Sequence, residues 1–361
     1  MKIEMEMKHM AQTMEIGIST FLEATASPVA GKSKNHAERL REAVEEIVLA
    51  DQVGLDVYGI GEHHRPDYAG SAPAVILAAA AAQTKNIRLT SAVTVLSSDD
   101  PVRVFQQFAT LDGLSNGRAE IMAGRGSFTE SFPLFGYSLE DYEQLFDEKL
   151  ELLLAIRNSE KVNWRGGHRP VIDNLGVYPR SVQEQLPVWI ATGGNTQSTI
   201  RAGLMGLPIA YAIIGGMPES FAPLVELYKK AAAQAGHDVS KLQIATHSHG
   251  FVADTKQTAG DLLFEPYQAQ MTKIGRERGW NSAFSRQNFD AACDPRGALY
   301  VGDPEYVAEK ILLLHRNLGV TRFFHHVDVS AIPHREVLRS IELLGTKVAP
   351  IVRRELAKQN G

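Results

Sequence analysis

Short β-branched and apolar runs alternate along most of this chain with longer stretches in which apolar residues recur at helical spacing. That alternation is the pattern of successive parallel βαβ units. Residues 15–21, 57–62, 87–94, 118–123, 187–191, 209–214, 243–252 and 322–329 read as strands, eight in all. The intervals 37–53, 73–84, 101–115, 139–158, 196–204, 219–235, 256–279 with 304–318, and 333–354 read as helices. Two of them open on Asp100-Pro101 and Asp303-Pro304, an aspartate cap before a proline at the first helical position. Eight βα units in order, without a Pro/Gly/Ser linker, favour a single (β/α)8 TIM-type barrel; a two-domain Rossmann arrangement is the alternative.

Two stretches exceed a minimal barrel. Residues 161–180, with Trp164, Gly166, Gly167 and Pro170, predict a polar hairpin before the fifth strand. Residues 264–297, with Trp280, Phe284 and Phe289, are too long for a simple connection. Insertions after barrel strands lie at the C-terminal face, where they often act as lids. Residues 1–13 mix charge with methionine and read as a disordered or added lead-in, leaving 14–361 as one domain.

Composition narrows the function classes. With 44% hydrophobic and 22% charged residues over 361 positions, the chain can bury a large core as a soluble domain. A formal charge of −5, with no long run of Lys or Arg, excludes the basic stripe that nucleic acid requires. The longest apolar stretch, 72–82, is far short of the ~20 residues of a membrane span. Cys293 is the only cysteine, which rules out an internal disulfide and argues against structural zinc; a reducing cytoplasm is the natural compartment. It sits in the inserted loop beside Asp294-Pro295 and reads as an incidental thiol.

In a parallel barrel, chemistry sits where strands end. The second strand runs into Glu62-His63-His64, where an imidazole could orient a substrate, accept a proton or bind metal; the bland reading is one inward and one packed histidine. The third passes small residues, Ala92, Val93 and Thr94, which admit a flat ring or simply pack. The fourth ends Gly124-Arg125-Gly126-Ser127-Phe128, an arginine fork suited to phosphate, or a surface salt bridge. The fifth passes into Thr192-Gly193-Gly194-Asn195-Thr196 before a helix, and bare amides at a helix start can cradle phosphate. With Arg125 this becomes a two-sided clamp. The sixth ends in Gly215-Gly216, and the seventh places His247 and His249 on one side of the sheet, toward either the barrel interior or the helices. A metal centre would have to draw on His63, His64, His247 and His249, whereas His325, His326 and His334 read as structural. No GxSxG elbow, Walker loop or nicotinamide fingerprint is visible.

The ordered set Glu62-His63-His64, then Thr94-Val95-Leu96 to Asp100-Pro101-Val102-Arg103, then Leu111-Asp112-Gly113-Leu114-Ser115-Asn116-Gly117-Arg118 leading to Gly124-Arg125-Gly126, resembles the luciferase-like flavin monooxygenases. The likeness runs from about residue 14 to 354. It implies a TIM-type barrel, often a homodimer, that oxygenates a small organic substrate with reduced FMN and O2, the flavin being supplied by a separate NAD(P)H-dependent reductase. By position, Arg125, Gly126, Thr192, Gly193, Gly194 and Thr196 would hold the phosphate, with Gly215 and Gly216 nearby. Ala92, Val93 and Thr94 would lie against the ring, with Ala92–Val93 the position for a non-prolyl cis peptide. His63, with Glu62, would be catalytic, and His64, Phe128, His247 and His249 would face substrate; Phe132, Phe135 and the 264–297 stretch could add apolar wall. The best-known luciferases carry a cysteine where this chain has Gly124, which sets light emission and a long-chain aldehyde substrate in doubt. Related barrels use a deazaflavin to move hydride, so that cofactor is the alternative; a metal-dependent hydrolase and a non-catalytic flavin-binding protein are further ones.

Overall fold

The computed structural model describes residues 14–25, 35–279, 284–327, 329 and 331–359, so the lead-in at 1–13 and Trp280 lie outside the described residues. The strands are β1 (Glu15–Thr20), β2 (Val57–Ile60), β3 (Arg88–Ser91), β4 (Thr94–Val95), β5 (Ala119–Gly124), β6 (Lys161–Trp164), β7 (Ile172–Gly176), β8 (Val188–Thr192), β9 (Ile209–Ala212), β10 (Ile244–Val252), β11 (Tyr300–Gly302) and β12 (Arg322–His326). Parallel pairing runs β1-β2-β3-β5-β8-β9-β10-β12, and β12 pairs with β1, as in Ser19 opposite His326. The ring closes: this is the expected (β/α)8 barrel, not an open doubly wound sheet.

The helices are α1 (His36–Gln52), α2 (Pro73–Ala81), α3 (Pro101–Ser115), α4 (Ser131–Phe135), α5 (Tyr142–Asn158), α6 (Thr196–Leu204), α7 (Ala222–Gln234), α8 (Lys256–Glu277), α9 (Arg286–Cys293), α10 (Pro304–Leu318), α11 (His334–Leu343) and α12 (Ala349–Gln359). Asp100 accepts from Val102 N and Arg103 N, and Asp303 from Tyr306 N, so both aspartate-proline starts act as caps. None of these helices is long and apolar enough to cross a membrane.

Two expectations need correcting. The 87–94 run is two strands: β3 stops at Ser91, the Ala92–Val93 peptide is cis at the anticipated position, and β4 resumes against β5. The 161–180 stretch is a hairpin as expected, an antiparallel pairing of β6 with β7. The 264–297 stretch is mostly helix, α8 continuing to Glu277 and then α9, so Cys293 is a buried helix-end residue rather than part of a loop. β11, a short strand on the outer end of β10, was not anticipated because three residues carry no readable alternation.

Alternation divides the core in two. Ala119, Ile121, Ala123, Ile209, Tyr211 and Phe323 face the helices. Val57, Ala92, Met122, Trp189, Ala210, Ala245 and Phe324 fill the barrel interior. Below them Arg322 is buried against Glu120, with Nη1 and Nη2 donating at 2.5 and 3.1 Å and Nε donating to Glu15 at 2.6 Å, under a guanidinium–Trp189 contact of 4.3 Å. A charged plug closes one end, so the open end is where the strands terminate.

Candidate active site

A cavity of about 240 Å³ occupies that end. Its lining is small and apolar where Ala92 just past β3, Ala191 of β8, Ala210 and Ala212 of β9 and Met122 of β5 meet it. Arg125 and Gly126 line it beyond the end of β5, and Thr192 and Gly193 at the end of the neighbouring β8. A Cβ at Gly124 would stand 2.7 Å from Val93 Cγ2, and one at Gly126, where φ is +81°, 2.8 Å from Val95 Cγ1. These glycines let the arginine loop close over the β3–β4 crossing. Gly193 has open space where a side chain would be.

Arg125 is ion-paired with Glu143 and lies 5.4 Å from the Tyr142 ring, whose hydroxyl donates to Gly126 O at 2.7 Å. Across the mouth, His63 stacks on Tyr68 at 4.4 Å and meets Phe21 and Phe128 edge-on at 4.9 and 5.1 Å. Its Nδ1 is 3.8 Å from Glu130 Oε1, an ion-pair distance too long for a hydrogen bond. Burial pushes the Glu130 carboxyl up, but the adjacent imidazole outweighs it and holds it below the usual carboxylate range.

Glu62 has both oxygens committed. Oε1 takes His64 Nε2 at 2.8 Å and Oε2 accepts from Val95 N at 2.9 Å. Although it lines the cavity, it fastens β2 to the β3–β4 crossing and so positions its neighbours.

The luciferase-like monooxygenase family model matches residues 14–322. The chain belongs to that family, and is an oxidoreductase of it. It is 24% identical to the alkanal monooxygenase alpha chain of Photobacterium leiognathi over 88% of this chain and 94% of that one. Two solved structures share the fold. One is the oxygenating constituent of 3,6-diketocamphane monooxygenase from Pseudomonas putida, a type II Baeyer-Villiger enzyme in complex with FMN, at TM-score 0.77, 21% identity and 94% and 98% coverage of the two chains. The other is an F420-dependent secondary alcohol dehydrogenase in complex with an F420-acetone adduct, at TM-score 0.73, 19% identity and 94% and 99% coverage.

On this luciferase-like barrel, the cavity gathers Glu62, His63, His64, Ala92, Val93, Arg125, Gly126, Phe128, Thr192, Gly193 and His247 of the residues singled out from sequence. Thr94, Gly194, Thr196 and His249 are not in its wall. Gly215 and Gly216 line a separate apolar hollow with Tyr267 and Met271, because β9 ends at Ala212 and the chain turns outward toward α8 and α9. Phe132 is buried against Tyr142 and Phe135 is half exposed at the His64 edge; neither lines the cavity. The four histidines weighed for a metal centre do not converge to ligating distance. Among the described residues the grouping that does is Glu42, Glu46 and His334, and there Arg39 already donates to Glu46 at 2.8 Å.

Sequence reasoning missed Phe21, Glu130, Tyr142 and a buried file behind His247. His247 Nε2 is 3.0 Å from His326 Nδ1, and His326 Nε2 is 3.0 Å from Glu23 Oε1. His326, expected to be merely structural, shares the barrel interior with His247, as strand alternation from Phe324 would have indicated. Burial, then the neighbouring imidazoles, pulls His247 and His249 well below the ordinary imidazole range, so both rings are neutral at pH 7. His325 faces the helices, and burial lowers it to about 3. Burial also pushes the Cys293 thiol up to about 12, an inert form.

Proposed function

We propose that this enzyme is an FMN-dependent monooxygenase that uses reduced flavin and O2 to oxygenate a small organic substrate. The observation that carries the reading is one concavity lined by both Arg125 and Gly193, together with four alanines and His63. A planar tricycle needs such a small apolar lining, and its phosphate needs a cationic fork and bare amides. The residues present fit the group. Arg125 and the Gly193 turn would hold the phosphate, and Ala92 and Val93 would support the ring.

When bound, the reduced flavin supplies the electrons and the activation of O2. The protein's own part is confinement and proton handling. Phe128, Tyr68 and Phe21 surround His63 and exclude water from its imidazole. Glu130 beside Nδ1 would favour the tautomer with the proton on Nδ1, leaving Nε2 as a proton acceptor. A separate NAD(P)H-dependent reductase as flavin source and a homodimeric state are part of the same proposal.

Likeness to an F420-dependent enzyme favours a second reading, hydride transfer with a deazaflavin, which does not hand its electrons to O2. The two separate on purified protein, by the mass and absorbance of the extracted cofactor and by oxygen uptake with reduced FMN. Arg125→Ala should weaken FMN binding by about 1.5–3 kcal/mol, the loss of a charge-assisted contact. Glu143→Gln, which frees the guanidinium, should tighten it. FMN titrations unchanged in both variants would remove the clamp.

A further inference from the structure

The Glu23–His326–His247 file starts in the barrel interior and ends in the cavity wall. Both imidazoles are bonded edge to edge in sequence, and His326 and Glu23 are fully buried. His247 spends Nε2 on His326, which leaves Nδ1 for whatever occupies the cavity. At the far end Glu23 Oε2 and Oε1 of Gln270 are buried without hydrogen-bond partners.

We propose that Glu23, His326 and His247 form a buried proton wire that stores one proton behind the cavity and sets whether His247 offers it an acceptor or a donor. In one polarity Glu23 is a carboxylate: His326 Nε2–H donates to it, His247 Nε2–H donates to His326 Nδ1, and His247 Nδ1 faces the cavity as a lone pair. In the other Glu23 O–H donates to His326 Nε2, His326 Nδ1–H donates to His247 Nε2, and His247 Nδ1 carries a proton. Passing from the first to the second takes one proton from a group in the cavity. At each link one N–H bond breaks and another N–H or O–H bond forms. Both imidazoles stay neutral, and no electrons are transferred.

The surroundings suit this. Burial raises Glu23 to about 7, opposed by its own backbone, Arg39, His63 and Gln270, so either form is accessible near neutrality. Tyr68 also faces it, and His249 and His325 face the two imidazoles. Burial, then the neighbouring imidazoles, disfavours a doubly protonated His247, His249 or His325. Phe21 packs against His63, His247 and His326 at 4.9, 5.6 and 4.6 Å, separating the file from the His63 pair.

The inference rests on the proposed oxygenation for its use, because that reaction exchanges protons at the cavity; its test needs no flavin. In cofactor-free protein with ring-¹⁵N histidine, nitrogen shifts are followed from about pH 5 to about pH 9. His247 and His326 should exchange protonated and bare nitrogens together, with a midpoint near 7. Glu23→Gln should abolish that midpoint, with the exposed His36 and His237 signals as internal references for folding. Tautomers that never change in the wild type, or a transition that survives in Glu23→Gln, would overturn the wire. A failed FMN titration in the same wild-type sample overturns the flavin reading instead.

Discussion

The plug beneath the cavity gives a quantitative test of how the barrel is held. Arg322 is 1% exposed and Glu120 2%, and between them they form two hydrogen bonds, with Glu15 taking a third. Arg322→Met leaves Glu120 buried with the Trp189 side chain and Arg88, whose Nη1 is 3.3 Å away on a side chain 41% exposed. Breaking one side of a buried pair costs about 3–5 kcal/mol, and the residual Arg88 contact places this case at the lower end, about 3 kcal/mol. Replacing both partners removes the stranded charge, so Arg322→Met with Glu120→Met should be more stable than Arg322→Met alone. The assay is equilibrium urea unfolding, read as a lower midpoint at unchanged slope. Burial alone would raise Glu120, but Arg322 overrides it and holds the carboxyl below its usual range. A depressed carboxyl contributes stability above its unfolded pKa and loses it as pH falls through the folded one, so the gap between wild type and variant should narrow in acid. An Arg322→Met protein within about 1 kcal/mol of wild type, or a double variant less stable than the single, would refute the reasoning.

Gly124→Ala places a methyl 2.7 Å from Val93 Cγ2 and should cost about 1–3 kcal/mol by overpacking, together with weaker FMN binding. Adding Val93→Ala removes the opposing methyls and should restore both, in thermal unfolding and flavin titration; two changes that simply add would exclude the contact as the cause. His63→Asn should leave FMN binding intact while slowing substrate oxygenation on the order of 10²–10⁴-fold, with more hydrogen peroxide released per turnover. Wild-type coupling in that variant would remove His63 from the chemistry.

The fold was legible because both of its periods are strong and local. Each βα unit carries its own alternation and, at Asp100 and Asp303, its own cap, so barrel closure followed from counting. What was not legible depends on three-dimensional crossing. The strand read through 87–94 is broken at Ala92–Val93, and nothing in a run of small and β-branched residues marks that break. One segment of the ordered set that resembles the family, Leu111 to Arg118, turns out to be scaffold. Asp112 accepts from Val182 N, Gln183 N and the Gln183 side chain, and Arg118 donates to Ala81 O, Thr84 O and Ile87 O, tying α2, α3 and the hairpin exit together far from the cavity.

The histidines show how far strand alternation reaches. His247 and His249 do share a side, and it is the interior, yet only His247 reaches the cavity, while His249 is turned to the Tyr267 hydroxyl 3.4 Å away. Register explains why the next partner was overlooked. Ser248 lies opposite His325 and His249 opposite His326, so of the consecutive pair His325-His326 one ring meets the helices and the other meets the file. Adjacent positions on a strand send their side chains to opposite faces, so only one of His325 and His326 can meet the file. Deciding which one belongs to the site requires the neighbouring strand's register, and with it comes Glu23, which lies three residues beyond β1 and is tied to Tyr68 by a lone antiparallel bridge.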